Sequence, residues 1–216
     1  MVKDCRRPFL LVILLAALPS TGWAQDVKTV LGKALNAIGS ESVGTLQFSG
    51  SGSSYDDKAE LSTLKSYTQQ IDLAHTMSGI RAIRVQGTPP TEQVTDQNVS
   101  PNSPWNTQLE FWITPYGFLK AARADAATLE TKSVSGVAYR IVTVMVPGNH
   151  KLVGYINDKD MVERVQAWTD NDVLIEGVYL DYEDFRGLEV PTIQIRNRGG
   201  NLTQIVIVKD ARVLAI

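Results

Sequence analysis

From Leu46 onward the apolar residues of this chain recur with a period of two, and short turn signals cut the pattern into strand-length pieces. Val137–Val146 is the longest such run and carries apolar residues on both faces. Lys151–Asn157 and Met161–Trp168 flank Asp158-Lys159, a hairpin signal. Val178–Tyr182 leads to a turn at Arg186-Gly187. Ile193 and Ile195 then alternate with Thr192, Gln194 and Arg196, which predicts a strand with one wet face. Gly199-Gly200 reads as a tight turn, and Leu202–Val208 is again apolar on both faces. Consecutive strands joined by short turns must be antiparallel, because parallel neighbours need a long crossover. Strands apolar on both faces need cover on both. The pattern therefore predicts an α+β, mainly β, chain: one curved antiparallel sheet with its convex face partly wet and its concave face filled by helices.

The first half supplies the helices. Val27, Val30, Leu31, Ala34, Leu35 and Ile38 share one helical face, with Asp26 placed to cap the first amides and Gly39 just past the end. Leu46 and Phe48 begin the strand pattern, and Gly50 and Gly52 continue their face, where another element can approach closely. Further strands are expected over 64–73 and 79–86. Residues 87–104 are polar and hold four prolines, which predicts a long loop or flap. Trp105 to Ala122 reads as two short helices bent at Thr114, a cap followed by Pro115 at the first helical position.

The N-terminus reads as an address. Lys3, Arg6 and Arg7 precede the apolar run Phe9–Leu18, and Gly22 and Ala24 are the small residues of a cleavage site after Ala24. The run is shorter than the roughly 20 residues of a membrane span. Residues 1–24 are thus expected to be a signal peptide and 25–216 a single periplasmic or secreted domain without a transmembrane segment. The only cysteine, Cys5, falls within the leader, so the mature chain holds its fold without disulfides. Cleavage removes Lys3, Arg6, Arg7 and Asp4, which takes the net charge from −2 to −4. With no basic stripe, nucleic acid is not an expected partner.

Residues that carry chemistry are sparse. The two histidines, His75 and His150, are far apart and lack ligand-like neighbours, so no metal is expected. No Gly-x-Ser-x-Gly elbow occurs, and the serines around Gly50 and Gly52 have no phosphate-loop lysine after them. Asp158 and Asp160, Asp170 and Asp172, and Asp181, Glu183 and Asp184 cluster at three turns, where they read as solvated carboxylates. Asn98-Val99-Ser100 and Asn201-Leu202-Thr203 match glycosylation sequons. Neither an enzyme nor a bound cofactor is expected. Aromatic residues are concentrated instead: Trp105, Phe111, Trp112, Tyr116 and Phe118 lie close together beside the long loop. Helices lined with such rings across a concave sheet can either fill the core or enclose an apolar ligand.

Three stretches resemble a known family: Phe111-Trp112-Ile113-Thr114-Pro115-Tyr116-Gly117-Phe118-Leu119-Lys120-Ala121-Ala122; Gly154-Tyr155-Ile156-Asn157-Asp158 with Val162-Glu163-Arg164-Val165; and Asp181-Tyr182-Glu183-Asp184-Phe185-Arg186-Gly187-Leu188-Glu189-Val190-Pro191-Thr192. With Phe48-Ser49-Gly50-Ser51-Gly52, they resemble the N-terminal region of exported bacterial metallo-β-lactamase-fold hydrolases. The third stretch also looks like periplasmic lipoprotein-carrier (LolA-like) proteins. The resemblance implies an incomplete barrel with an N-terminal helix and two short helices in its mouth. It further implies either a lipid or other apolar ligand, or a hydrolase partner. The hydrolases' His-x-His-x-Asp-His motif is absent from this sequence, so no catalytic residue is carried over. Phe48, Trp112, Phe118, Tyr139 and Trp168 sit on elements such a fold would turn inward, and are the expected ligand-pocket residues.

Overall fold

A computed structural model describes residues 22–39, 44–56, 58–72, 78–86, 92–124 and 126–214. Most of the expected leader, together with His75, Pro89 and Pro90, lies outside the described residues. The chain begins with helix α1 (Gly22–Ala37) and then forms strands β1 (Thr45–Tyr55), β2 (Leu61–Asp72), β3 (Ser78–Gln86) and β4 (Glu92–Val99). Helices α2 (Trp105–Trp112) and α3 (Pro115–Ala124) follow. The second half is β5 (Thr128–Val134), β6 (Val137–Val146), β7 (His150–Ile156), β8 (Val162–Trp168), β9 (Leu174–Asp184), β10 (Glu189–Arg198) and β11 (Asn201–Leu214).

All eleven strands join one antiparallel sheet in the order β4-β3-β2-β1-β11-β10-β9-β8-β7-β6-β5. Two meanders thus meet where the last strand, β11, lies against the first, β1. The sheet is an incomplete barrel, since β4 and β5 stand at opposite edges. Register slips between Ser49 and Gly50, Gly50 and Gly52, Leu64 and Ser66, Tyr155 and Ile156, and Arg196 and Asn197 sharpen its twist. The two glycines of β1 serve the same bend. A methyl group on Gly50 or Gly52 would stand 2.0 Å from the carbonyl oxygen of Ile207 or Ile205. The element that approaches closely there is the neighbouring strand's own backbone.

The core lies on the concave face. Val142, Val144, Val146, Leu152, Ile156, Val165, Ala167, Val206 and Val208 point into it, against Leu109, Phe111, Ile113, Phe118 and Leu119 of the helix pair. Helix α1 buries Val27, Val30, Leu31, Ala34, Leu35 and Ile38 against α3 and β5. Gly39, at φ +68°, ends it where any side chain would strike the Gly187 carbonyl, and the Glu189 amide donates to the Ile38 carbonyl at 3.3 Å.

Several expectations need correction. Helix α1 starts at Gly22, so Asp26 is an exposed residue within the helix and not its cap. The supposed loop 87–104 contains β4 over Glu92–Val99. Strand β10 is inverted: Gln194 (3% exposed) and Arg196 (5%) face the concave interior, while Ile193 and Ile195 face outward. The outer face is drier than a wet surface. Val178 and Leu180 pair with Ile195 and Ile193, which pair in turn with Ile205 and Ile207. The outer faces of these strands are thus apolar but covered only in part, with Ile207 and Leu180 about two-fifths open.

Candidate functional site

The mouth of the half-barrel is spanned by α2 and α3, joined by a sharp bend. Thr114 makes the bend. Its Oγ1 accepts the Gly117 amide at 3.1 Å and donates to the Phe111 carbonyl at 2.7 Å, capping α3 just before Pro115. Long-range polar bonds tie the pair down. Tyr116 donates to the Glu189 carbonyl at 2.8 Å, Tyr179 to the Ile113 carbonyl, and Trp105 Nε1 to the Trp168 carbonyl at 2.6 Å. Phe118 presses directly on Gly154 of β7, where an added methyl would lie 2.2 Å from two ring carbons.

Beneath α2 the concave wall is polar. Arg196 of β10 donates through Nη1 to the Tyr179 hydroxyl at 2.7 Å and through Nε to Glu110 Oε2 at 3.3 Å. Glu110 is carried by α2 and faces a second guanidinium, Arg81 of β3, at 3.7 Å. Tyr67 of β2 lies under Arg81, with its centroid 5.9 Å from the guanidinium carbon, and donates to Gln69 Oε1 at 2.8 Å. Gln69 in turn donates to the Glu110 carbonyl at 3.1 Å. Gly177 leaves room for this arrangement, because a side-chain carbon there would stand 2.3 Å from the Tyr179 hydroxyl and 2.5 Å from Arg196 Nη1. Gln194 and Gln204 extend the buried polar surface along β10 and β11.

The electrostatics fix every charge in this band. Burial alone would raise the Glu110 carboxyl, but Arg81 and Arg196 outweigh it and hold the group below its ordinary value of 4.5. Burial works against the charge on Arg196, yet Tyr179 and Glu110 raise its pKa. Burial also pushes the Tyr179 hydroxyl up to about 12, so it stays protonated and able to donate. Among the described residues, two guanidiniums face one carboxylate, which leaves the band one positive charge in excess.

The structure disperses the five residues singled out as pocket-lining. Phe48 and Phe118 are fully buried on the concave side, Phe48 stacked on Tyr67 with centroids 6.1 Å apart. Trp112 is half-buried on α2 and donates to Gln108 at 3.3 Å. Tyr139 lies on the face of β6 opposite Val142 and Val144, donating to Glu163 at 2.7 Å and meeting the edge of Tyr155. Trp168 also lies outside, with Lys151 Nζ 4.2 Å above its ring. It borders a cleft of about 280 Å³ lined by Asn149, His150, Lys151, Thr169 and Asp172. His150 is the first residue of β7, beyond the turn at Pro147–Asn149, and stacks on Trp105 with centroids 4.1 Å apart. These five rings do not surround one space.

Sequence reasoning missed Arg81, Glu110, Tyr67, Gln69, Tyr179 and Arg196. Two of the carboxylate clusters lie at turns, and Asp160 pairs there with Arg140 at 2.5 Å, but the third is not a turn: Asp181, Glu183 and Asp184 are the last residues of β9, with Asp184 accepting the Gly187 amide at 2.5 Å. Among the described residues no group of three or more His, Cys, Asp or Glu is placed to hold a metal ion. No helix among them is long and apolar enough to cross a membrane.

Comparison with known proteins places the fold. No family model and no curated protein matches the sequence. Among solved structures, a LolA-superfamily protein from Nitrosomonas europaea is similar over 90% of this chain and 94% of its own, at 11% identity and TM-score 0.55. A DUF1329-family protein from Desulfovibrio piger is similar over 87% and 92%, at 12% identity and TM-score 0.51. A domain from Vibrio parahaemolyticus described for outer membrane lipoprotein sorting is similar over 86% and 92%, at 8% identity and TM-score 0.51. The fold is LolA-like. The descriptions of these three structures do not mention a metallo-hydrolase.

Proposed function

We propose that this protein is a non-catalytic periplasmic binding module for an apolar or amphiphilic ligand. The observation that carries the reading is the open sheet itself. Its concave side is apolar along β6 to β8, and the short helices α2 and α3, joined at one bend and backed by α1, stand over it. A compact carrier interior of this kind has a large apolar wall and few polar groups at its rim. The LolA-like fold of the solved neighbours, one of them described for lipoprotein sorting, supports the same reading. So does the basic and apolar leader over residues 1–24, which is suited to export with cleavage near Ala24. No observation on the fold favours the hydrolase-accessory alternative over this one.

The test is direct. The mature protein, purified without detergent, is extracted with organic solvent and the extract examined by lipid mass spectrometry. The emptied protein is then titrated with an apolar fluorescent probe. Co-purified lipid, or saturable probe uptake, is the expected result. An empty extract together with no uptake overturns the proposal.

A further inference from the structure

We infer that the Arg81–Glu110–Arg196 band receives the monoanionic head of a single-chain amphiphile, a carboxylate being the simplest case. This deepens the binding reading above and rests on it. Three observations converge on the site. The first is charge. Arg81 and Arg196 both face Glu110 Oε2, at 3.7 and 3.3 Å, so one carboxylate serves two guanidiniums. An uncompensated cation in a wall this deeply placed is costly, and a single negative charge neutralises it. The second is an unmet donor. Arg81 Nε is buried and has no hydrogen-bond partner among the described residues, so one N–H of the fork is left for an incoming oxygen. The third is construction. Gly177 makes space for the Arg196–Tyr179 pair, Gln69 braces the backbone of Glu110, and Tyr67 supports the Arg81 plane. Five elements, β2, β3, β9, β10 and α2, thus fix the two guanidiniums in place.

Access and selectivity follow from position. The Arg81 and Glu110 side chains are 16% and 22% exposed, so the band opens to solvent at its α2 side while Arg196 behind it is closed off at 6%. A chain attached to a head held there reaches the apolar concave wall only where α2 and α3 give way, because Val142, Val144 and Val165 beneath them are fully buried. The excess of one charge selects a monoanion. A neutral ester lacks the charge, and a dianion would leave the site negative. Guanidinium–carboxylate hydrogen bonds are among the stronger polar contacts.

Fluorescence titration of the mature protein with cis-parinaric acid and with its methyl ester tests the inference. The acid is expected to bind about tenfold or more tighter than the ester, the scale of one charge-assisted hydrogen bond. Arg81→Gln should abolish that preference while leaving ester affinity within about twofold, and Arg81→Lys should keep part of it. Circular dichroism and thermal midpoints establish that each variant is folded. If Arg81→Gln fails to fold, the wild-type acid-to-ester ratio and the Arg81→Lys ratio decide. Acetate at millimolar concentration, added as competitor, separates a site for any small anion from one that needs the chain; full displacement would overturn the amphiphile assignment. Equal binding of acid and ester by the wild type overturns this inference and leaves the carrier reading standing. Binding of neither removes both.

Discussion

Phe118 and Gly154 form a tight junction between the helix pair and the sheet, and the effect of filling the glycine can be worked out from the geometry. In Gly154→Ala the new methyl would stand 2.2 Å from two carbons of the Phe118 ring and 2.7 Å from a third. Carbon atoms at rest sit about 3.5–4.0 Å apart, so the ring or α3 must retreat by more than about 1 Å. The ring is fully buried, and packed interiors transmit such displacements instead of absorbing them. Overpacking of this kind costs about 1–3 kcal/mol. For a domain of this size each kcal/mol lowers Tm by about 2–4 °C, so a fall of about 2–12 °C is expected. Urea denaturation and calorimetry of the mature protein measure it, alongside Phe118→Leu and the double variant. Trimming the ring should relieve the clash, so the double variant should be more stable than the two single losses combined, by about 1 kcal/mol or more. A Gly154→Ala protein within about 0.5 kcal/mol of wild type, or strict additivity, would refute the packing argument.

Other perturbations separate the remaining claims. Thr114→Ala removes the cap of α3 and the bond to Phe111, and should cost about 1–2 kcal/mol in denaturant unfolding. Asn157→Ala removes the side-chain oxygen that accepts both the Lys159 and Met161 amides in the β7–β8 turn, and should cost about 1–2 kcal/mol. Glu110 is depressed in the folded state, so its contribution is present above its unfolded value of 4.5 and is lost as pH falls below it. The stability gap between wild type and Glu110→Gln should therefore narrow on acidification, as read by thermal midpoints across that range, and a gap independent of pH would count against the ion-pair account.

The hairpins of the second half were legible because each apolar run ended at residues with turn chemistry. Val137–Val146 is a strand to the residue, and the β9–β10 turn has positive φ at Arg186 and Gly187 as the Arg-Gly signal implied. The two edge strands were not legible, for a common reason. Glu92–Val99 and Thr128–Val134 are largely polar, and the latter is mostly exposed along its length. An edge needs charged and polar residues to discourage further pairing, and those residues erase the alternation by which strands are recognised. Strand β10 misled in the opposite way. Its polar residues looked solvent-facing because alternation fixes two faces but not which one is inside. The aliphatic residues that β9 and β11 set beside Ile193 and Ile195 could have hinted at the inversion. For the same reason the polar band at the mouth was invisible in the sequence, since its members come from strands and a helix up to 129 positions apart, from Tyr67 on β2 to Arg196 on β10. The aromatic residues were conspicuous instead, and Tyr139 and Trp168 proved to lie on the outside.

A sheet whose two edge strands are left unpaired has a mechanical freedom that a sealed cylinder lacks. Widening a closed barrel means changing its strand tilt and stagger together, against every ladder at once. Here β4 and β5 can swing apart by a small change of coil at each bulge, with all backbone pairs kept. An interior built this way can change its width at little enthalpic cost.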